Sequence, residues 1–279
     1  MRIADTVHFD WYKKAFVTFV IAALLLASAA VTDADLSAVI TGGPQAAAFL
    51  SKFMQPDLAY IPELIDPMMR TIKMSVLGTV VGFAVAVPLA FLATTVVTRN
   101  RVVTGIVRLL LNIVRTIPTL LLAALAVAIM GIGEFTGVVT IAIFTLGVTS
   151  QLIFETIETI DYAPIEAAEA VGATRMQIAA FSIAPQVASQ LASYFFYAFE
   201  INVRASTVLG YVGAGGIGVI LNASLGLFRY DRVSVVILMI FVVWASWTLR
   251  ARPFEGGLRK WHDRKRCARR ACRRICAKR

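Results

Sequence analysis

The chain has 279 residues, of which 58% are hydrophobic and 16% are charged. A typical soluble domain is about 45–50% apolar and about 25% charged, so this composition, with a mean hydropathy of +0.76, excludes an ordinary soluble domain and indicates a polytopic membrane protein. The net charge of +10 comes mainly from a basic stretch at 264–279 without interleaved aromatic residues, which argues against nucleic-acid binding.

Apolar segments of about 20 residues, the length that crosses the core of a bilayer, recur along the chain. The clearest of them cover residues 15–31, 74–98, 109–130, 137–154 and 233–249. A further segment, 187–203, carries Gln190, Glu200 and Asn202 and is interpreted as a span that lines something polar. The sequence therefore predicts an all-α membrane protein with about six transmembrane helices.

Most arginine and lysine residues lie in segments that are cytoplasmic if the N-terminus is inside. Because short cytoplasmic loops carry an excess of these residues, both termini are predicted to be cytoplasmic. The first span has a second interpretation, because small residues at 27–30 resemble a signal-peptide cleavage site. Cleavage there would leave five spans and a cytoplasmic C-terminus.

Residues 32–70 connect the first two spans and contain Pro56, Pro62 and Pro67. Because proline breaks helices, we predict an extracytoplasmic connection with short surface helices. At the other end of the chain, the basic tail is interpreted as a cytoplasmic flank that settles on anionic lipid headgroups.

All three cysteines, Cys267, Cys272 and Cys276, lie in the basic tail. Their C-x4-C-x3-C spacing fits no common zinc pattern, so we predict reduced thiols and no metal site. The two histidines, His8 and His262, have no nucleophile or metal partner in the sequence, and no catalytic residue is predicted. The chain also lacks a G-x-x-x-x-G-K-[ST] pattern, so another subunit would have to bind any ATP.

A glycine-rich segment suggests an enzyme as one alternative. Gly213, Gly215 and Gly218 spell G-x-G-x-x-G, and Asp231 follows at a distance typical of dinucleotide-binding folds. Such a site needs a soluble βαβ unit, for which the sequence leaves no room beside the last span. We therefore interpret these glycines, with Gly216, as a close-packed or hinge segment that forms a gate at the outer mouth. Successive free N–H groups there could also hold an oxyanion.

The segment 155–185 is too polar to span a membrane and too rich in helix formers to be a flexible linker. Pro164 lies near a helix start, and Gly172 lies where one helix should end and another begin. Its apolar faces are flanked by Glu166 and Glu169. We predict a short helical pair at the cytoplasmic surface, shaped to dock on a partner.

Glu166-Ala167-Ala168, followed by Gly172 and then Pro185, resembles the E-A-A-x-x-x-G signature of permease subunits of ABC importers. Further stretches, among them "RTIPT" and "EINVRASTVLGYVGAGGIG", are similar to the phosphonate-type permease family, which includes phosphite and some phosphate systems. The pattern departs at Thr119, where the family usually has an acid, and at Ala184, in place of a leucine.

The resemblance implies the type I importer fold in the bacterial inner membrane, with residues 1–73 as anchor and extracytoplasmic connection, 74–249 as permease core and 250–279 as cytoplasmic tail. It implies a second copy of the chain, a cytoplasmic ATPase dimer that binds ATP and Mg²⁺, and an extracytoplasmic binding protein. This chain would carry no cofactor and would import phosphonate, phosphite or phosphate without being an enzyme. A permease for another small solute and a stand-alone secondary transporter stay open as alternatives.

In such a permease, the 155–185 segment would be the coupling loop. We expect Glu166 to cap a helix or contact a basic group of the ATPase, Ala167 and Ala168 to permit close helix approach, and Gly172 to form the turn.

Arg204 is the first candidate for contact with an oxyanion. Together with Asn202, Ser206 and Thr207 it brings a guanidinium, an amide and two hydroxyls close together in sequence, a suitable donor set. Alternatively, Arg204 pairs with Glu200, its i−4 neighbour.

Arg115 is the second candidate. It either marks the cytoplasmic end of a span or lies near a pathway lined by backbone groups that Pro118 frees from helical hydrogen bonding.

Overall fold

The computed structural model describes residues 11–32, 41–98 and 100–249, and these are helical apart from turns and short connections. Predictions for His8, His262 and the cysteine-containing tail at 250–279 lie outside the described residues. By contacts the chain divides into two units, Met1–Met54 and Gln55–Arg279.

The first unit contains two described helices. α1 (Trp11–Val31) is long and apolar enough to cross a membrane, which agrees with the first predicted span. α2 (Gly43–Phe53) has Pro44 in its first turn, where the missing N–H of proline leaves no helical hydrogen bond unmade. The rings of Phe49 and Phe53 contact each other along α2, with centroids 5.0 Å apart and planes tilted by 52°. α2 is thus one of the short helices expected between the first two spans.

The second unit contains the remaining described helices. In chain order they are a 3₁₀ turn (Leu58–Tyr60), α3 (Ile61–Leu92), α4 (Arg101–Thr116), α5 (Thr119–Met130), α6 (Glu134–Glu158), α7 (Ala163–Ala170), α8 (Arg175–Gln177), a π-helical turn (Ile178–Ile183), α9 (Ala184–Leu209), a second 3₁₀ turn (Gly210–Val212), α10 (Ile217–Gly226) and α11 (Tyr230–Leu249).

α3 begins well before the predicted start of the second span, so the expectation that Pro62 and Pro67 break helices is wrong. Pro62 occupies the first turn, where the backbone N–H has no helical partner in any case. Pro67 removes one hydrogen bond, but the carbonyl that loses its partner belongs to Glu63, which is exposed. Thr71 Oγ1 donates to the Pro67 carbonyl (3.0 Å), and the helix continues.

The predicted span at 109–130 corresponds to two helices, because α4 and α5 meet at 93° and pass the length and hydropathy test only as a bent pair. Ile117 between them is extended, with φ −73° and ψ 121°, as expected for a residue before proline. A second bend, of 52°, separates α10 from the helical run that ends at Val212. Within the described residues, four helices can cross a membrane alone, and up to six spans result if each bent pair counts as one. The predicted number of about six is therefore confirmed.

α6 lies at the centre of the second unit and packs against α3, α4, α5 and α9. The two helices approach closely at Gly82 of α3, where an added Cβ would lie 2.4 Å from the Ala142 carbonyl oxygen of α6. Small residues allow such close approach of helices in membranes, where apolar side chains gain little by leaving lipid. The interface also buries the hydroxyls of Thr79, Thr145 and Thr149.

Candidate functional site

The 155–185 segment folds as a helix, a tight turn and a second helix. α7 ends before Gly172, whose φ of +77° is the left-handed conformation that glycine adopts at low cost. The second helix starts with a capping box, in which Thr174 accepts from the Gln177 backbone N–H and the Gln177 side chain accepts from the Thr174 N–H. The helical pair and the turn at Gly172 agree with the sequence prediction.

One face of this helical pair is fixed to the rest of the unit. Ile165, Ile178 and Ile183 are buried in a common apolar cluster. An ion pair of 2.7 Å between Arg175 and Glu169 spans the turn. The predicted coupling residues therefore stand on a rigid support.

The other face points outward. Glu166, Ala167 and Pro185 are exposed, and Ala168 is half-buried. Val171 and Phe181 expose 84% and 80% of their surface. Beside them is a cleft of about 340 Å³, formed between α7 and the π-helical turn. A rigid loop that presents large apolar side chains outside the apolar core is suited to packing against another protein.

Two arginines of α4 attach it to the C-terminal half of α6. The Arg108 guanidinium pairs with Glu158, lies 4.9 Å from the centre of the Phe154 ring and donates to the Ala93 carbonyl (2.7 Å). Sequence analysis missed this contact, although Arg108 and Glu158 are both on the predicted cytoplasmic side. Their opposite charges were the only signal.

Arg115, one of the two candidate arginines, donates from Nη1 to the Gln151 side chain. Gln151 in turn donates to Glu155 over 2.6 Å. Because the chain bends at Ile117 and Pro118, Arg115 ends α4 but does not end a straight span. A role of Arg115 in a pathway stays a prediction.

The predicted donor set around Arg204 is not brought together. Asn202 is 1% exposed and points into the core, where its amide nitrogen donates to Thr79 Oγ1 (2.8 Å) and Thr145 Oγ1 (2.7 Å). Asn202 therefore joins α9 to both α3 and α6. Three-helix contacts of this kind hold membrane proteins together through polar side chains.

The two hydroxyls of the set bond within α9. Ser206 is buried and donates to the Val203 carbonyl (2.6 Å), while Thr207 donates to the Arg204 carbonyl (2.7 Å). Both hydroxyl protons are therefore already donated to backbone carbonyls of α9. The arginine side chain itself lies on the exposed face of the helix, away from Asn202 and Ser206.

The Arg204 side chain, 57% exposed, pairs with Glu200 over 3.2 Å, as the second sequence interpretation expected. Glu200 Oε1 also accepts the indole N–H of Trp244 on α11 (2.9 Å). Trp244 was not identified from the sequence, because α9 and α11 come together only in the fold.

The glycine segment packs closely between α3, α9 and α6. Gly213, Gly215 and Gly216 all have φ between +72° and +89°. A Cβ on Gly218 would lie 2.3 Å from the Thr207 carbonyl oxygen. The Ile217 N–H, at the start of α10, donates to Thr71 Oγ1 of α3 (2.7 Å).

This segment follows a helix and a 3₁₀ turn instead of a strand, which a dinucleotide site would require. The close packing agrees with the sequence interpretation, and a role as gate stays a prediction.

The N-terminal part of α3 is linked to the start of α6 near the same segment. Arg70 pairs with Glu134 (2.9 Å) and with Asp66 (2.8 Å). A Cβ on Gly215 would lie 2.9 Å from Glu134 Cγ, so the glycine segment touches this ionic group. The ion pair of Arg70 with Glu134 and the contact of Gly215 with Glu134 therefore lie side by side at the start of α6.

Residues 78–251 match the protein family described as "Binding-protein-dependent transport system inner membrane component". The chain is 36% identical over 250 residues to the phosphite transport system permease protein PtxC of Stutzerimonas stutzeri, covering 90% of each chain. It is 34% identical to the phosphate-import permease protein PhnE of Mycolicibacterium smegmatis, covering 81% of this chain and 42% of that protein.

Among solved structures, the chain resembles a chain of the MetNI methionine ABC transporter in an inward-facing conformation. The TM-score is 0.64 at 21% identity, over 72% of this chain and 99% of that chain. At this identity the likeness concerns the fold.

Proposed function

Because the chain belongs to the family of binding-protein-dependent transport system inner membrane components, we propose that it imports a phosphorus oxyanion in an ATP-driven complex. It is an inner-membrane permease subunit of an ABC importer with the type I fold, and it is not itself the ATPase. We propose both the solute that it carries and the subunits with which it assembles.

The substrate class is supported by the names of two similar relatives. PtxC is named for phosphite transport and PhnE for phosphate import. Phosphite, phosphate and phosphonates share tetrahedral phosphorus with negatively charged oxygens, which guanidinium groups bind through charge-assisted hydrogen bonds. We propose that the exposed Arg204 contacts this anion. Asn202 and Ser206, which the fold directs elsewhere, are no longer part of the proposed contact set.

The proposed coupling mechanism is supported mainly by the way the 155–185 segment is held. Its buried isoleucines and capping box hold Gly172 in place, while Glu166 and Ala167 are presented outward. We propose that a cytoplasmic ATPase dimer docks here, binds ATP and Mg²⁺, and transmits its movement through α7 to α6 and α9. The Arg108–Glu158 pair would carry the same movement to α4.

We further propose that two copies of the chain enclose the pathway and that an extracytoplasmic binding protein delivers the anion. An exposed arginine and a glutamate on a membrane helix are costly in lipid and usually face a water-filled cavity or another helix. The exposed face of α9 that bears Arg204 is therefore assigned to the pathway between the two copies.

The proposal is tested by uptake in a bacterial strain without other phosphorus importers. The chain is expressed with its ATPase and binding protein, and uptake of radiolabelled phosphate, phosphite and methylphosphonate is measured separately. We expect saturable uptake of at least one of these anions, and we expect it to require the ATPase. Uptake of none of them would leave a permease for another solute, and uptake without the ATPase would indicate a secondary transporter.

A further inference from the structure

Glu200 holds two donors from different helices on a single carboxylate oxygen. Arg204 Nη2, on the same helix, lies 3.2 Å from Oε1, and Trp244 Nε1, on α11, lies 2.9 Å from the same atom. The shorter contact is thus the one between helices. The carboxylate is held by Trp244 independently of Arg204.

The surroundings favour a fixed carboxylate. α9 and α11 also pack through aromatic rings, with the centroids of Phe199 and Trp247 4.3 Å apart and those of Phe196 and Trp247 6.1 Å apart. The Glu200 side chain is 26% exposed, about half the exposure of Arg204. A charge beside such an apolar surface is stabilised mainly by its hydrogen-bond partners. Trp244 therefore keeps Glu200 in place at the edge of the aromatic group.

The Arg204 guanidinium, in contrast, has few of its hydrogen-bond donors paired with protein acceptors. A guanidinium carries five N–H donors, and among the described residues only Nη2 has a protein acceptor. That contact is longer than the usual charge-assisted bond of about 2.7–2.9 Å. The guanidinium can therefore exchange its carboxylate for another anion at little cost.

We propose that Glu200 is an internal counter-ion, which occupies Arg204 when no substrate is present and yields it to the transported oxyanion. Trp244 retains the carboxylate during the exchange. This inference rests on the proposed function, because it assumes that Arg204 meets the anion. It assigns Glu200 and Trp244 as positioning residues that weaken anion binding.

Weak binding at this point serves transport. A pathway must bind its substrate well enough to admit it and loosely enough to release it. An arginine without a counter-ion would hold a doubly charged oxyanion more tightly and slow its release. Glu200 competes with the substrate and so lowers the affinity, while it also neutralises the arginine between transport cycles.

The experiment measures anion binding to the permease itself. The full chain, co-purified with its ATPase in lipid nanodiscs and without binding protein, is titrated with inorganic phosphate and, separately, with phosphite. Equilibrium dialysis with radiolabelled phosphate gives the Kd, and tryptophan fluorescence reports the indole beside Glu200.

We expect Glu200→Gln to lower the Kd roughly two- to fivefold, the range that an exposed ion pair is worth. Glu63→Gln, which removes an exposed carboxylate in the first turn of α3, is the control and leaves the Kd unchanged. Phosphate should change the fluorescence of the wild type and of Trp247→Phe, while Trp244→Phe removes that change and still binds in dialysis.

Unchanged or weaker binding by Glu200→Gln, with binding lost in Arg204→Ala, would overturn the counter-ion role and leave the proposed contact at Arg204 intact. Binding of wild-type strength by Arg204→Ala would overturn both that contact and the counter-ion role. Failure of the proposed substrate class itself would appear as a wild-type complex that binds neither phosphate nor phosphite.

Discussion

The side-chain amide of Asn202 donates a hydrogen bond of 2.8 Å to Thr79 Oγ1, and this bond joins α9 to α3 inside the helical core. The Thr79 hydroxyl donates its own proton to the Ser75 carbonyl (2.6 Å), so it can only accept from the amide. The orientation of the amide follows from that. Asn202 is a structural residue of the bundle.

Replacing Asn202 by leucine should therefore destabilise the protein by roughly 1–2 kcal/mol, the size of interhelical hydrogen bonds in membranes. Denaturant unfolding of the purified permease measures this free energy. Gln190→Leu, at an exposed position of the same helix, is the control and should change stability little. Equal stability of Asn202→Leu and the wild type would contradict the structural role.

Gly218 should tolerate no side chain. A Cβ there would lie 2.3 Å from the Thr207 carbonyl oxygen, and backbone cannot move aside easily. We expect Gly218→Ala to lose about 2 kcal/mol or more of stability, or to fail to accumulate in the membrane, as measured by quantitative immunoblotting. Gly105→Ala, where nothing lies within 4 Å of the added Cβ, should accumulate normally.

Gly172 is tested by its backbone conformation. Valine at φ +77° is strained by about 1–2 kcal/mol, whereas asparagine tolerates this region better. Gly172→Val should insert into the membrane but reduce the coupling of ATP hydrolysis to uptake, and Gly172→Asn should retain more coupling. Gly172→Asp, which adds charge at the docking surface, should also uncouple. The measurement is the ratio of anion taken up to ATP hydrolysed in proteoliposomes.

If both Gly172→Val and Gly172→Asp transported normally with the ATPase bound, the coupling surface would lie elsewhere on the permease.

Arg204→Ala should reduce uptake at least tenfold while assembly with the ATPase and basal ATP hydrolysis stay near wild type. The reason is that Arg204 is exposed and makes one long ion pair, so its loss leaves little of the core disturbed. Radiolabelled anion uptake and co-purification give the two measurements. Arg101→Ala, an exposed arginine at the start of α4, is the matched control. Parallel loss of assembly and uptake would assign Arg204 a structural role only.

The Arg108–Glu158 pair should couple α4 to α6 energetically. Both side chains are about one-third exposed, so a double-mutant cycle of Arg108→Ala and Glu158→Gln should give an interaction energy of about 0.5–1 kcal/mol. The cycle is measured by denaturant unfolding at low and high salt, and the energy should fall with salt. An interaction energy of zero at low salt would show that α4 is held by apolar contacts alone.

The sequence determined the features that depend on local composition. Apolar length identified the membrane spans, and the helix-start and helix-stop residues around Pro164 and Gly172 predicted the turn at Gly172. Arginine and lysine placement predicted the cytoplasmic side. Each of these follows from residues that are close together in the chain. The rule that proline breaks helices gave a wrong prediction at Pro67, because the carbonyl that loses its helical hydrogen bond there belongs to the exposed Glu63 and the helix continues.

Only the tertiary structure decided which polar side chains share a site. Asn202 and Arg204 are two residues apart and were predicted to form one donor set. On a helix, each residue is rotated by about 100° from the one before, so these two side chains point about 200° apart, to nearly opposite faces. One side chain therefore enters the core and the other does not. The partner of Glu200 on α11, Trp244, is distant in sequence. Contacts between helices depend on how the helices pack, and a local sequence pattern does not predict that packing.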